Sequence, residues 1–242
     1  MALASTIRND IKQFPEGKTF GYADLNISKH HYLTAAKALE RFQKEGLIKK
    51  LSKGLFYKPK STVFGDLKPD YTELLRPYLF ENGKRVAYET GVALYNRLGL
   101  TTQMAFRTKI ASRGKRISIN RENLIADPVK SYADVTHDNY KILGLLDAFK
   151  DIKKIPDCTV EQAVGRLSAI VRELNEKQKK FLLQYAMKYP PRVRALVGAL
   201  LEYTGVKPKS VQALKDSLNP LTTINLGVDK EVLPTKSNWY IV

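Results

Sequence analysis

The 242-residue chain carries 41 Lys and Arg against 24 Asp and Glu, a formal charge of +17 with a pI near 9.8. Its 43% hydrophobic and 10% aromatic content belongs to a folded soluble protein long enough for two modest cores rather than to a disordered chain. No apolar run approaches the about 20 residues of a membrane span, MALASTIRND lacks a secretory signal pattern, and a lone Cys158 excludes an intramolecular disulfide framework, so a cytoplasmic protein with a polyanionic partner is expected.

In chain order, Leu3, Ile7 and Ile11 at i, i+4, i+8 predict a first helix over 3–13, stopped by Phe14-Pro15-Glu16-Gly17. Phe20 to Leu25 reads as a short second helix with Phe20 and Leu25 inward. Ser28 is placed to cap a third helix that Gly46 ends. On a helical wheel Tyr32, Ala35, Ala38, Leu39 and Phe42 share one side, the core face. The other side holds His30, Leu33, Thr34, Lys37, Arg41 and Lys44, a mixture suited to phosphates and base edges. Residues 47–51 and 55–58 are β-prone runs joined by Ser52-Lys53-Gly54, a tight hairpin carrying Lys49, Lys50, Lys53 and Lys58. Helix, glycine and lysine-tipped hairpin in this order are the pattern of a winged helix-turn-helix.

A Pro/Gly-punctuated connector over 58–69 places a domain boundary at 65/66. Beyond it, 71–79 suggests a helix containing Pro77, 85–88 a strand, and 90–98 a helix stopped by Gly99. Strands over 106–111 and 116–120 flank a turn at 112–115, with 124–126 a third strand. Arg107, Lys109, Arg113, Lys115, Arg116 and Arg121 make this expected hairpin a second basic patch. From Asn139 the pattern turns helical, with segments around 142–149, from Thr159 to Leu174, over 176–188 and over 191–203. The last stretch, 219–242, is expected to pack as extended chain anchored by Trp239. The fold class is therefore α+β: a winged helix-turn-helix over 1–65, then 66–242 with a β-containing part of about 66–135 and a helical part of about 136–242.

Residues 1–60 hold twelve basic and five acidic side chains, about twice the net charge density of the remainder. Catalytic signals are thin. His30 and His31 are adjacent and diverge by about 100° on a helix, so they cannot chelate a metal as an i, i+4 pair does. Cys158 reads as a small hydrophobe. Gly114-Lys115 lacks the glycine of a phosphate loop, since Lys109 stands there. Asp147 and Asp151, interleaved with Lys150 and Lys154, read as a solvated charged face. No catalytic residue, metal site or cofactor is expected, and the chain reads as a binding protein rather than an enzyme.

Lys44 to Lys60 (KEGLIKKLSKGLFYKPK), Phe64-Gly65-Asp66-Leu67, Tyr95 to Gln103 (YNRLGLTTQ), Leu145-Leu146-Asp147-Ala148, Lys153 to Asp157 (KKIPD) and Leu218 to Thr223 (LNPLTT) together resemble the AbiEi-like antitoxins, in a branch typical of Bacteroidetes. The resemblance spans nearly the whole chain in order. It implies an N-terminal winged helix-turn-helix that represses its own operon by binding promoter repeats in double-stranded DNA, and a C-terminal domain that counteracts an AbiEii-like nucleotidyltransferase toxin without a stable complex, the type IV arrangement. On this resemblance Lys29, His30, Thr34, Lys37, Arg41, Lys49, Lys50 and Lys53 would contact DNA. The alternative is an RNA-binding regulator that uses the basic patch between Arg107 and Arg121.

Overall fold

The computed structural model describes residues 3–25, 27–63, 65–121 and 124–242, together with the backbone but not the side chain of Lys29. Phe64 of the connector therefore lies outside the described residues. The chain is mixed α and β, and it divides into two compact units, Met1–Lys84 and Arg85–Val242, each built on its own buried cluster.

The first unit contains α1 (Leu3–Gln13), β1 (Thr19–Gly21), α2 (Tyr32–Lys44), β2 (Lys49–Ser52), β3 (Leu55–Tyr57), β4 (Lys60–Thr62), β5 (Gly65–Leu67), α3 (Tyr71–Leu79) and β6 (Phe80–Glu81). Strands β1, β3 and β2 form an antiparallel sheet in that order, with Thr19 opposite Tyr57 and Lys49 opposite the same Tyr57. Ile7 and Ile11 of α1, Phe20, Leu25, Ile27, the α2 stripe Ala35, Ala38, Leu39 and Phe42, then Ile48 and Phe56 make the core. The expected short helix at Phe20–Leu25 is instead strand β1 followed by a 3-10 turn over Tyr22–Leu25. Gly21 pairs with Leu55, and its N–H donates to Asp24 Oδ2 (2.8 Å), so a carboxylate three residues later ends the strand and starts the turn.

The compact unit continues past the expected boundary at 65. Asp70 caps α3 by accepting the Glu73 N–H (2.9 Å). Glu73 Oε2 then accepts the Thr19 N–H (2.9 Å) and hydroxyl (3.1 Å), while the Glu73 carbonyl also accepts that hydroxyl (2.9 Å). These bonds satisfy the outer edge of β1, where Thr19 is buried, and fix α3 to the first unit. Within the connector, Lys60–Thr62 and Gly65–Leu67 pair as the antiparallel β4–β5 hairpin.

The second unit follows β7 (Lys84–Arg85) with β8 (Ala87–Thr90), α4 (Val92–Arg97), β9 (Thr108–Ser112), β10 (Ile119–Arg121), β11 (Leu124–Lys130), α5 (Tyr140–Lys150), α6 (Val160–Glu173), α7 (Glu176–Ala186), α8 (Pro191–Tyr203) and α9 (Pro208–Asp216). Its sheet has the order β10-β11-β9-β8, and β9 and β11 are parallel. The expected hairpin of 106–111 with 116–120 is therefore absent. Strand β9 lies between β8 and β11, and β10 reaches only β11. Ser112-Arg113-Gly114-Lys115 leaves the sheet at the end of β9 instead of turning back along it.

Helix α5 is buried from Ile142 through Phe149 and packs against β8, α7 and α8. Thr159 caps α6 and Asn175 caps α7, each in a reciprocal capping box with a glutamine three residues on. Helix α9 has no counterpart in the sequence reading. Trp239 is fully buried against α8, where a Cβ on Gly198 would stand 2.1 Å from its ring, and its indole N–H donates to Glu202 (2.7 Å).

Candidate nucleic-acid interface

Burial of Ala35, Ala38, Leu39 and Phe42 leaves the opposite face of α2 outward, because side chains three and four apart share a face. Leu33 is 83% exposed, and Thr34, Lys37, Arg41 and Lys44 are exposed beside it. Ser28 does not cap α2. It opens a 3-10 turn over Lys29–His31, its carbonyl accepting the His31 N–H (3.0 Å) and its hydroxyl lying 2.9 Å from His31 Nδ1. His30 is exposed in that turn. Tyr32 does not join the core: it is 42% exposed at the first position of α2, its ring 5.3 Å from that of Tyr22. At the other end Gly46 takes φ +75° and the Leu47 N–H returns to the Phe42 carbonyl (3.0 Å), which turns the chain so that Ile48 enters the core and β2 begins at Lys49.

The β2–β3 turn places Lys53 at its exposed tip and Gly54 at φ +72°, the left-handed conformation a tight hairpin requires. Charge on this surface is unevenly compensated. Arg41 lies 3.7 Å from Glu45, which also takes Arg8 at 2.5 Å, and Lys44 lies 3.4 Å from Glu40. Lys49 is bridged to Asp66 of β5 at 2.8 Å, which pushes the Lys49 amine up and the Asp66 carboxyl down from their ordinary values. Lys58 is turned inward on the first unit, its amine donating to the carbonyls of Lys12 (2.7 Å) and Phe14 (2.8 Å), so it caps α1 instead of serving the hairpin. Lys37, Lys50 and Lys53 make no ion pair among the described residues. The Lys29 side chain lies outside them.

The second basic patch is dispersed. Arg107 forms a two-pronged pair with Asp127 (2.7 and 3.0 Å) across β9 and β11, where Asp127 is one residue from the position opposite Thr108. Lys109 lays its alkyl chain against Gly91. Arg121 is exposed in β10, and Arg113, Lys115 and Arg116 are exposed in the segment after β9. Arg113 is held by the Tyr132 carbonyl (3.2 Å) and by Asp134 (3.6 Å). Of the six, Arg113, Lys115 and Arg116 are brought together, and the parallel register that sets Lys130 opposite Ser112 adds a cation the sequence reading did not include. Only the pairing of β9 with β11 reveals it.

Residues 6–178, from within α1 to the first turn of α7, match a family of unknown function, DUF6088. The chain belongs to that family. No curated protein sequence matches this DUF6088 chain. Among solved structures it is similar to the crystal structure of the RV2827C protein from Mycobacterium tuberculosis, with 14% identity, 93% of this chain and 85% of the other covered, and a TM-score of 0.51. That likeness concerns the fold.

One buried polar centre of the DUF6088 chain was missed. Asp147, expected on a solvated face, is 2% exposed. Tyr88 and Thr90 of β8 donate to its Oδ2 (2.9 Å each), the Tyr189 hydroxyl approaches Oδ1 (3.1 Å), and Lys150 lies 3.4 Å away. Tyr95 donates to Asp151 (2.8 Å). Burial pushes the Asp147 carboxyl up, against the opposing pull of Lys150 and the hydroxyls, and pushes the Tyr88, Tyr95 and Tyr189 phenols up as well, so they remain donors. The helix is buried on every side, and the i, i+4 charge pattern therefore marked an internal hydrogen-bonded centre. Cys158 is half-buried, and burial raises its thiol. Among the described residues no three His, Cys, Asp or Glu side chains come close enough to hold a metal ion, and no helix is long and apolar enough to cross a membrane.

Proposed function

We propose that the first unit is a winged helix-turn-helix and that the chain is a cytoplasmic DNA-binding autorepressor and antitoxin of the AbiEi type. In this reading α2 enters the major groove of promoter repeats and the β2–β3 hairpin lies along the flanking backbone. The observation that carries it is the single exposed face of α2, on which Leu33, Thr34 and Lys37 stand clear of the core, together with a hairpin whose Lys50 and Lys53 have no carboxylate partner among the described residues. Leu33 and Thr34 offer a methyl-binding and a hydrogen-bonding group to base edges, and Lys37 an amine. Arg41, Lys44 and Lys49 would reach phosphates by exchanging their carboxylates for phosphate oxygens. His30 and Lys29 complete the approach at the start of the helix. The antitoxin half, acting on a nucleotidyltransferase-like toxin without a stable complex and without catalysis of its own, rests on the sequence resemblance.

The test is a salt-titrated gel shift of the full chain on the duplex upstream of its own gene, with scrambled duplex and tRNA as competitors. With three of the cations already sharing carboxylates, about 4 to 6 phosphates would be neutralised, giving a log–log slope of about −4 to −5. Specific binding with such a slope supports the reading. Preference for tRNA would transfer the function to RNA, and a slope shallower than about −2 would remove backbone contact as its basis.

A further inference from the structure

The carboxyl ends of the parallel strands β9 and β11 open onto a cavity of about 340 Å³ lined by Ser112, Arg113, Gly114, Lys115, Arg116, Pro128, Val129 and Lys130. Its construction follows from the sheet. Parallel pairing sets Lys130 opposite Ser112, and the chain then diverges: Arg113 to Ile117 swing away before β10, while Ser131 returns its N–H to the Ser112 carbonyl (3.1 Å). Diverging chain at the carboxyl edge of parallel strands leaves a crevice, the position where open α/β sheets take their ligands. A Cβ on Gly114 would meet no atom within 4 Å, so this backbone is open to close approach.

Four cationic side chains line the rim, and Pro128, on the same face of β11 as Lys130, supplies an apolar wall, while Val129 turns to the core. Arg116 and Lys130 have no ion pair among the described residues, and Arg113 is oriented by the Tyr132 carbonyl and a solvent-exposed Asp134. A cavity at the small end of the range for small-molecule sites, with convergent cations and one apolar wall, suits a ligand with a phosphorylated end and a flat ring. We infer that this cavity binds a phosphorylated ligand of mononucleotide size, its phosphates on Arg113, Lys115, Arg116 and Lys130 and its ring against Pro128. The ligand is either a free nucleotide or the 5′-phosphorylated end of a strand. This site is independent of the DNA reading of the first unit.

Calorimetric titration of the full chain with ATP, adenosine and tripolyphosphate tests it. ATP should bind once per chain, adenosine should not bind, and tripolyphosphate should bind more weakly than ATP. The surface variant Arg116→Ala/Lys130→Ala should weaken ATP binding by about tenfold or more with an unchanged circular dichroism spectrum, whereas Lys209→Ala/Lys230→Ala, which removes the same charge elsewhere, should leave it unchanged. No saturable ATP binding, equal losses in the two double variants, or tripolyphosphate binding as tightly as ATP would each overturn the assignment. Competition with 5′-phosphorylated hexa-adenylate separates the sources: displacement of ATP identifies a strand end, and lack of displacement a free nucleotide.

Discussion

Lys37 and Asp147 illustrate opposite uses of charge. Lys37 projects from α2 with no carboxylate partner among the described residues, so its replacement should cost binding and not folding. Lys37→Ala is expected to weaken operator affinity by about 1–2 kcal/mol with stability unchanged within about 0.5 kcal/mol, as read by gel shift and thermal melting together. Equal affinity for operator in this variant would count against the proposed DNA-contacting face of α2. Asp147 is the acceptor for hydroxyls from two strand residues and Tyr189. Asp147→Ala strands those donors in the interior and should cost about 3–5 kcal/mol in chemical denaturation. Asp147→Asn keeps an acceptor and probes the charge. Because the native carboxyl titrates above its ordinary value, the folded state holds more protons than the unfolded state across that window. The stabilising contribution is complete below the ordinary carboxylate value of about 4 and is lost as pH rises through the raised native value. The Asn variant should therefore gain on the native chain as pH increases from about 4, and parallel stability curves would contradict a raised carboxyl.

At the scale of elements, β1 depends on α3 for the hydrogen bonds of its outer edge. Glu73→Ala is expected to destabilise the first unit by about 1–3 kcal/mol, since the Thr19 N–H is left without its carboxylate acceptor. A fragment covering 1–84 should accordingly melt at a higher temperature than one covering 1–65, and equal melting temperatures would argue that α3 adds nothing. The same elements show what was legible in the amino-acid order. Helices whose apolar residues recur every three or four positions, such as α1, α2 and α6, could be read directly, as could the Gly46 stop and the Gly54 turn, because each signal is local. Strand β1 could not, because three residues carry no period, and Glu73 gives no sign that its acceptor will be needed fifty-four positions earlier. The pairing of β9 with β11 was likewise invisible. Alternation identifies strands without naming their neighbours, and the short separation of 106–111 from 116–120 imitates a hairpin. The exposed cations of α2 were legible for the same local reason, whereas Lys130 became part of a basic crevice only through register.

At the scale of the molecule, the positive charge is shared by both units. The first holds fifteen basic and nine acidic residues and the second twenty-six and fifteen, so neither is neutral. The full chain should therefore bind random duplex more tightly than 1–84 does and lose that affinity more steeply with salt, by about one unit of slope or more. Identical slopes would show that the second unit's cations stay off the duplex. The α+β class followed from composition and periodicity, while the division at Lys84 required the tertiary bonds of α3. Trp239 is the other long-distance dependence. Its ring lies where any side chain at Gly198 would have to be, so Gly198→Ala should destabilise the second unit by about 3 kcal/mol or more and shift the fluorescence of the single tryptophan toward that of solvent. The same contact sets an order of events during synthesis. Helix α8 leaves the ribosome about forty residues ahead of the ring that covers Gly198, so a nascent second unit carries an uncovered apolar trough for seconds, while the first unit, complete at Lys84, is already free to close.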